Sequence, residues 1–493
     1  MKTLKYSWLY LFLLSLAVLL NGCEEPMPIQ DPPYGSESRK KSDLEVSTGK
    51  IVGIDGHTHD GQVAFAATGK GNIKSNKRNA TIISKGFVWS TEPGPTIDLS
   101  TKTSEGAGAG SFTSNITPMN AGTTYFVRAY VTSDAEISYG EEVRYTTPEL
   151  RFKTISAGLT SFAIEEDGML WGWGINNNGQ LGIGSNKFFS DTPIPIGMGY
   201  KLIAAGPDHV LAIKTDGTLW SWGLNNLGQL GDGTTETRRE PVNIGTGYAK
   251  IAVGLFHSLA IKTDGTLWSW GSNVVGQVGD GTGLQQNSPV NIGSSFSEIT
   301  ADEGHSMALK TDGTLWAWGY NDDGQIGNGT NTYPFTPVMI GSDFVEIGSG
   351  FRHSMAIKTN GDLWTWGRNE KGQLGDGTNT SSNTPLFIGS GYAKVVGGWG
   401  HVVALKKDNT TWTWGYNEYG QLGDGLFDDE KTPVKVLSDA FFTMVVGGNN
   451  HTLALNSDGT VWGWGEGYWG QMGDGTFNDI NSNRTIPAKI IIK

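Results

Sequence analysis

The tetrad Trp-x-Trp-Gly occurs seven times from Leu150 onward, its first indole at Trp171, Trp220, Trp268, Trp316, Trp364, Trp412 and Trp462, in steps of 49, 48, 48, 48, 48 and 50 residues. A unit this short cannot bury its own apolar face, so a fixed period of about 20 to 50 residues means copies stacked as a solenoid or a propeller. Each unit reads as four strand-like pieces, illustrated by residues 250–253, 258–262, 266–270 and 289–292. Four strands per unit and seven units predict an all-β chain dominated by a seven-bladed β-propeller. An open solenoid would need atypical polar caps, and neither end of the array has one.

Composition agrees with an ordered, turn-rich chain. Glycine is 72 of 493 residues, about double the usual share, while charged residues are 17% against a typical ~25%. The single cysteine excludes a disulfide scaffold and cysteine-rich zinc sites. A formal charge of −13 gives no general attraction to phosphate backbones, so nucleic acid is not an expected partner.

Fourteen of the eighteen tryptophans sit in the doublets, where residues i and i+2 share one face of a strand. Repeated bulky aromatics suit packing between neighbouring sheets, and a ligand-binding strip copied around a ring is the weaker alternative. Asp216-Gly217 and its copies suit a two-residue hairpin turn. His209, His257, His305, His353, His401 and His451 share one repeat position, assigned to Ser161 in the first unit, and Asp232, Asp280, Asp376, Asp424 and Asp474 share another. Equivalent residues spread around a ring cannot build one metal centre or one triad, so both series read as structural. No catalytic residue, metal or cofactor is expected.

The repeated phrase G-x-x-H-S-x-A-x-K-T-D-G-T-L-W-x-W-G-x-N-x-x-G-Q-L-G-D-G-T resembles the regulator-of-chromosome-condensation (RCC1) repeat over residues 150–493. That resemblance implies a seven-bladed ring. Members of the family include a nuclear guanine-nucleotide exchange factor and a secreted inhibitor of β-lactamases, both of which bind proteins through the ring.

Function should reside in what the repeats do not share. In an antiparallel blade, the loop G-x-x-H after the first strand and the loop N-x-x-G after the third open on the same rim. Leu159-Thr160, Asp208, Leu255, Phe256, Glu303, Phe351, Arg352 and Trp399 vary in the first loop, and Tyr419, Tyr468 and Trp469 in the second. This rim is diverse, aromatic and acidic, as binding surfaces are; the alternative is that some of these side chains fill the central funnel.

Ahead of the array, residues 45–148 carry short alternating runs at 62–67, 83–90, 111–116, 124–132 and 142–146, the pattern of a β-sandwich. Tyr125, Val127, Ala129 and Val131 fall on one face. With Ile116, Met119 and Asn120-Ala121-Gly122 just upstream, the segment resembles the tyrosine corner of a fibronectin type III domain, which implies a spacer or protein-contact module. His57, His59 and Asp60 in a glycine-flanked run read as a solvated turn rather than a metal site.

The N-terminus reads as an address. Lys2 and Lys5 precede an apolar run from Leu9 to Leu20, too short to span a bilayer, and Leu20-Asn21-Gly22-Cys23 resembles a bacterial lipoprotein box. Residues 1–22 would be the signal peptide, Cys23 the lipidated residue, and 23–44 a proline-rich linker. The expectation is a monomeric protein of a bacterial cell envelope, lipid-anchored to a membrane. Its partner would be a protein bound at the variable rim or, alternatively, a surface glycan. Guanine-nucleotide exchange is suggested by the family name only, since secretion removes a cytosolic GTPase.

Overall fold

The computed structural model describes residues 43–54, 65–477, 479 and 482–490. The expected signal peptide, Cys23 and the run containing His57, His59 and Asp60 lie outside the described residues.

Strands β1 (Leu44–Ile54), β2 (Phe65–Asn76), β3 (Ile82–Ser90), β4 (Ser111–Met119), β5 (Thr124–Ser133), β6 (Ile137–Tyr139) and β7 (Val143–Thr146) form two sheets. One is ordered β1-β2-β4; the other is β3-β5-β6, with β7 also paired to β5. Their inner faces share one core: Phe87, Trp89, Ile116, Tyr125, Val127, Ala129 and Val131 are all buried in it. The two-residue period read in β5 thus points inward as expected. The Tyr125 hydroxyl accepts the Asn120 N–H at 2.8 Å, tying the strand to the backbone just upstream. Strand β1 was not among the expected runs, and β2 continues nine residues beyond the expected end at 67.

From residue 152 the chain forms four-stranded antiparallel sheets in succession. The first contains β8 (Phe152–Ala157), β9 (Thr160–Glu165), β10 (Leu170–Ile175) and β11 (Phe189–Gly197), and the second β12 (Tyr200–Ala205), β13 (His209–Lys214), β14 (Thr218–Gly223) and β15 (Arg238–Thr246). The same order repeats over 248–293, 296–341, 344–389, 392–435 and 442–489. Each sheet is one continuous stretch of chain, with strands neighbouring in sequence order. Its first strand packs against the first strand of the next sheet, and the last sheet packs against β8. This is the architecture of a β-propeller, with the first strands innermost.

Equivalent bonds join successive sheets. The second indole of each doublet is fully buried, and its Nε1–H donates to the carbonyl of the preceding sheet's loop glutamine, from Trp222 to Gln180 through Trp464 to Gln421, at 2.6 to 3.0 Å. Trp173 makes the same bond to Gln471, joining the first sheet to the last at 2.8 Å. The first indole is less uniform: Trp171 is buried, and its six copies lie shallower. Trp220, Trp268, Trp316, Trp412 and Trp462 are half-buried, and each donates to the threonine two residues earlier in the chain at 2.8 to 3.1 Å. Ammonium groups of Lys214, Lys262, Lys310 and Lys406 lie 4.3 to 4.5 Å from the indole centroids of the first four. The shallow indole thus packs against the core shared by two neighbouring sheets on one side and is covered by a lysine stem and ammonium on the other.

The Asp-Gly turns close as expected. Gly217 has φ +77°, which glycine adopts without steric cost, and Asp216 Oδ1 accepts the Thr218 N–H and Oγ1–H at 2.9 and 2.6 Å.

Candidate functional site: the channel and its variable rim

The strand order fixes the rims. Loops after the first and third strands of every sheet open on one side; the Thr-Asp-Gly turns and the links between sheets lie on the other. The variable residues are therefore gathered at one end of a central channel of about 690 Å³. Leu255, Asp208, Glu303, Phe351 and Trp399 line this channel, so the funnel reading and the surface reading meet in the same side chains. Phe256 is half-buried and is not among the lining residues.

Four of the candidates form one cluster drawn from three successive sheets. Glu303 receives a bidentate pair from Arg352, Nε to Oε2 at 2.5 Å and Nη2 to Oε1 at 2.9 Å. Asp323 lies 3.6 Å from the same guanidinium, and the Tyr320 and Phe351 rings flank it at 4.7 and 5.1 Å. Phe351 in turn packs at 5.1 Å against Trp399, which keeps 47% of its surface exposed. Arg352 adopts φ +64°, a backbone state that costs a non-glycine residue on the order of 1 kcal/mol or more. The bidentate pair and the two rings hold it there.

The remaining candidates stand apart. Asp208 accepts the Asn178 side-chain amide at 2.8 Å, which ties the second sheet's loop to the first. Tyr419 packs edge-on against Tyr416 at 6.1 Å. Tyr468 and Trp469 form a perpendicular pair at 4.8 Å, and Phe477 beside Trp469 stacks on Phe189 of the first sheet.

The histidines lie beneath this rim, wholly buried. His209, His257, His305, His401 and His451 each place Nε2 at 2.8 to 3.1 Å from a hydroxyl of the next sheet: Ser258, Ser306, Ser354, Thr452 and Ser161. Each hydroxyl spends its own hydrogen on the glutamine carbonyl already described, so the imidazole must donate from Nε2. Burial pushes all six histidines down, His353 to about 4 and the others to about 3.

The ladder corrects one alignment. Gly174 pairs with Thr160 as Gly223 pairs with His209, so Thr160 takes the histidine position in the first sheet and Ser161 is the hydroxyl that receives His451. The first loop is one residue shorter than its copies, which is why spacing alone assigned Ser161. Among the described residues no group of three His, Cys, Asp or Glu side chains is placed to hold a metal ion.

Sequence reading passed over Asp302. It stands where the other repeats have glycine, at Gly158, Gly206, Gly254, Gly350, Gly398 and Gly448. Backbone packing explains the glycines: a Cβ on Gly398 would meet His401 Cε1 at 2.1 Å and the Gly448 carbonyl at 2.5 Å. Asp302 lines the channel, and burial pushes its carboxyl up to about 7. The run Ala-Asp-Glu-Gly-His, set against Gly-x-x-His elsewhere, was the available signal.

Residues 249–492 match a family model described as an RCC1-like domain, and residues 167–213 and 216–261 each match the RCC1 repeat. The array is RCC1-like. Among solved structures, yeast RCC1 (Prp20) bound to Kap60 is similar, with a TM-score of 0.59 at 21% identity over 69% of this chain and 85% of the other. Human WBSCR16 is similar with a TM-score of 0.57 at 20% identity, over 66% of this chain and 93% of the other. At this identity the likeness speaks for the RCC1-like fold. No curated protein matches the chain in sequence.

Proposed function

We propose that this chain is a lipid-anchored, extracytoplasmic binding protein, monomeric and without catalytic activity, whose seven-bladed RCC1-like ring presents its variable rim to a protein partner. In this reading Cys23 carries the anchor, residues 23–44 give reach, residues 45–148 are a fibronectin III-like spacer and residues 150–493 are the ring. The sandwich topology and the Tyr125 bond to Asn120 support the spacer assignment.

The observation that carries the rim reading is the Glu303, Arg352, Phe351 and Trp399 cluster. It spends backbone strain and a bidentate ion pair to hold aromatic surface at the channel mouth, where a partner could cover it. Arg and Trp are the residue types that dominate binding hot spots. The similar propeller of Prp20 was solved with Kap60 bound, and a protein partner is the reading carried over here. Capture from native envelope membranes by the intact protein and by a Trp399→Ala variant tests it; equal capture by both would refute the rim.

A further inference from the structure

We propose that the central channel is a binding site for an alkylammonium group, with Asp302 as its counter-charge. The proposal goes beyond the rim reading and does not depend on any protein partner.

Among the described residues the charged side chains lining the channel are Asp208, Asp302 and Glu303, and all three are acidic. Glu303 already has a counter-charge in the Arg352 guanidinium at 2.5 and 2.9 Å, and Asp208 accepts the side-chain amides of Asn178 at 2.8 Å and Gln180 at 3.4 Å. Asp302 accepts only the Glu303 backbone N–H, at 2.6 Å, and no cation among the described residues pairs with it. Asp302 is half-buried in the channel wall, and a carboxylate partly withdrawn from water without a counter-charge is costly, as its raised pKa reflects. Such a group at a position otherwise held by glycine needs a compensating interaction, and a cation in the channel supplies one.

The rest of the lining selects the kind of cation. Ala252, Val253, Ala301 and Gly348 offer small apolar walls suited to a methylene stem. Phe351 and Trp399 line the same channel, and Trp399 keeps an exposed surface that can face a cation. A volume of about 690 Å³ admits a whole aliphatic amine or a lysine side chain with its neighbours. A metal ion would find no group of three His, Cys, Asp or Glu side chains placed to hold it among the described residues. The chain's net charge of −13 favours cation entry.

Two probes separate the sources of this chemistry: 1,5-diaminopentane for a free amine, and an N-acetylated, C-amidated Gly-Lys-Gly peptide for a protein side chain. Calorimetric titration of the full chain at about pH 8, where an alkylammonium keeps its proton, should show one site for at least one probe. Asp302→Asn should weaken that binding by more than about tenfold. Asp302→Gly, which restores the repeat residue, should do the same and reads the result should the Asn variant fold poorly. Binding of neither probe up to about 10 mM, or binding unchanged in a folded Asp302 variant, overturns the proposal. Neither result bears on capture of a partner at the rim.

Discussion

His451 Nε2 lies 3.0 Å from Ser161 Oγ, across 290 residues of sequence, and makes the bond that joins His257 to Ser306. The last sheet thus meets the first as any sheet meets its neighbour. The Phe152 N–H donates to Gly459, as the Tyr200 N–H does to Gly168, and Trp173 donates to Gln471. Among the described residues no strand is exchanged to close the array: each sheet is one continuous segment, and side chains and main-chain links carry the seam. Ser161→Ala should therefore cost about as much as Ser258→Ala, roughly 1–3 kcal/mol for a buried donor left unpaired. Comparing their urea midpoints checks this. A negligible loss at Ser161 would mean that the ends of the array are not sealed in solution.

One position in the series is mismatched. His353 stands where the other histidines stand, but the receiving position in the next sheet is Val402, and His353 Nε2 has no partner among the described residues. Its ring instead brings Nδ1 to 3.4 Å from the Phe351 carbonyl. Val402→Thr adds a hydroxyl of nearly the same shape, with the Gln373 carbonyl placed to accept its hydrogen, as Gln421 accepts that of Thr452. The variant should gain about 1 kcal/mol, read as a raised melting temperature. No gain would show that the His353 ring cannot turn to meet the new hydroxyl.

Acid should loosen the array through its histidines. Burial lowers them from 6.5 to about 3, or about 4 for His353. Between these values the unfolded chain binds more protons, so their contribution is complete above pH 6.5 and is lost as pH falls below it. His401→Gln keeps an amide N–H near Thr452 and removes one titrating ring. Its stability should fall less steeply than that of the unaltered protein below pH 6.5, measured by urea unfolding across that range.

Asp302 works in the opposite sense. Its folded-state value is raised from 3.8 to about 7, so the folded chain holds the proton that the unfolded chain releases, and stability declines as pH rises through that window. Asp302→Asn removes the slope. The variant should be more stable than the unaltered protein above pH 7 and nearly equal to it close to pH 4. Equal stability at both pH values would place the carboxylate in contact with water.

The sequence carried the architecture because the period is written in residues with one structural use: a buried indole, a histidine that donates and an aspartate that closes a turn. Irregular positions were harder to place. Thr160 was misaligned by a loop one residue shorter, and only the ladder with Gly174 sets it right. Leu44–Ile54 lacks strict alternation and has register shifts against β2, so its strand pattern was faint. The meeting of Glu303, Arg352, Phe351 and Trp399 depends on how far one sheet turns from the next. No local pattern encodes that rotation, so the sequence named these residues without joining them.

The joined cluster leads to a test of the rim itself. Phe351→Ala with Trp399→Ala removes the exposed aromatic surface while leaving the buried indoles and histidines untouched. Truncating a hot-spot side chain typically costs about 2 kcal/mol or more, so the pair should weaken partner capture by more than about tenfold. The control must lie on the other rim and carry no structural load. Asp216 is unsuitable, because it holds the Thr218 turn. Phe441 is 63% exposed, stands in the link between the last two sheets and is similar in size to the residues removed, so Phe441→Ala should leave capture intact. Melting temperatures measured on all variants separate lost binding from lost fold. Equal loss from both rims would move the working surface off the channel mouth, and loss only in variants that melt early would leave Phe351 and Trp399 as packing.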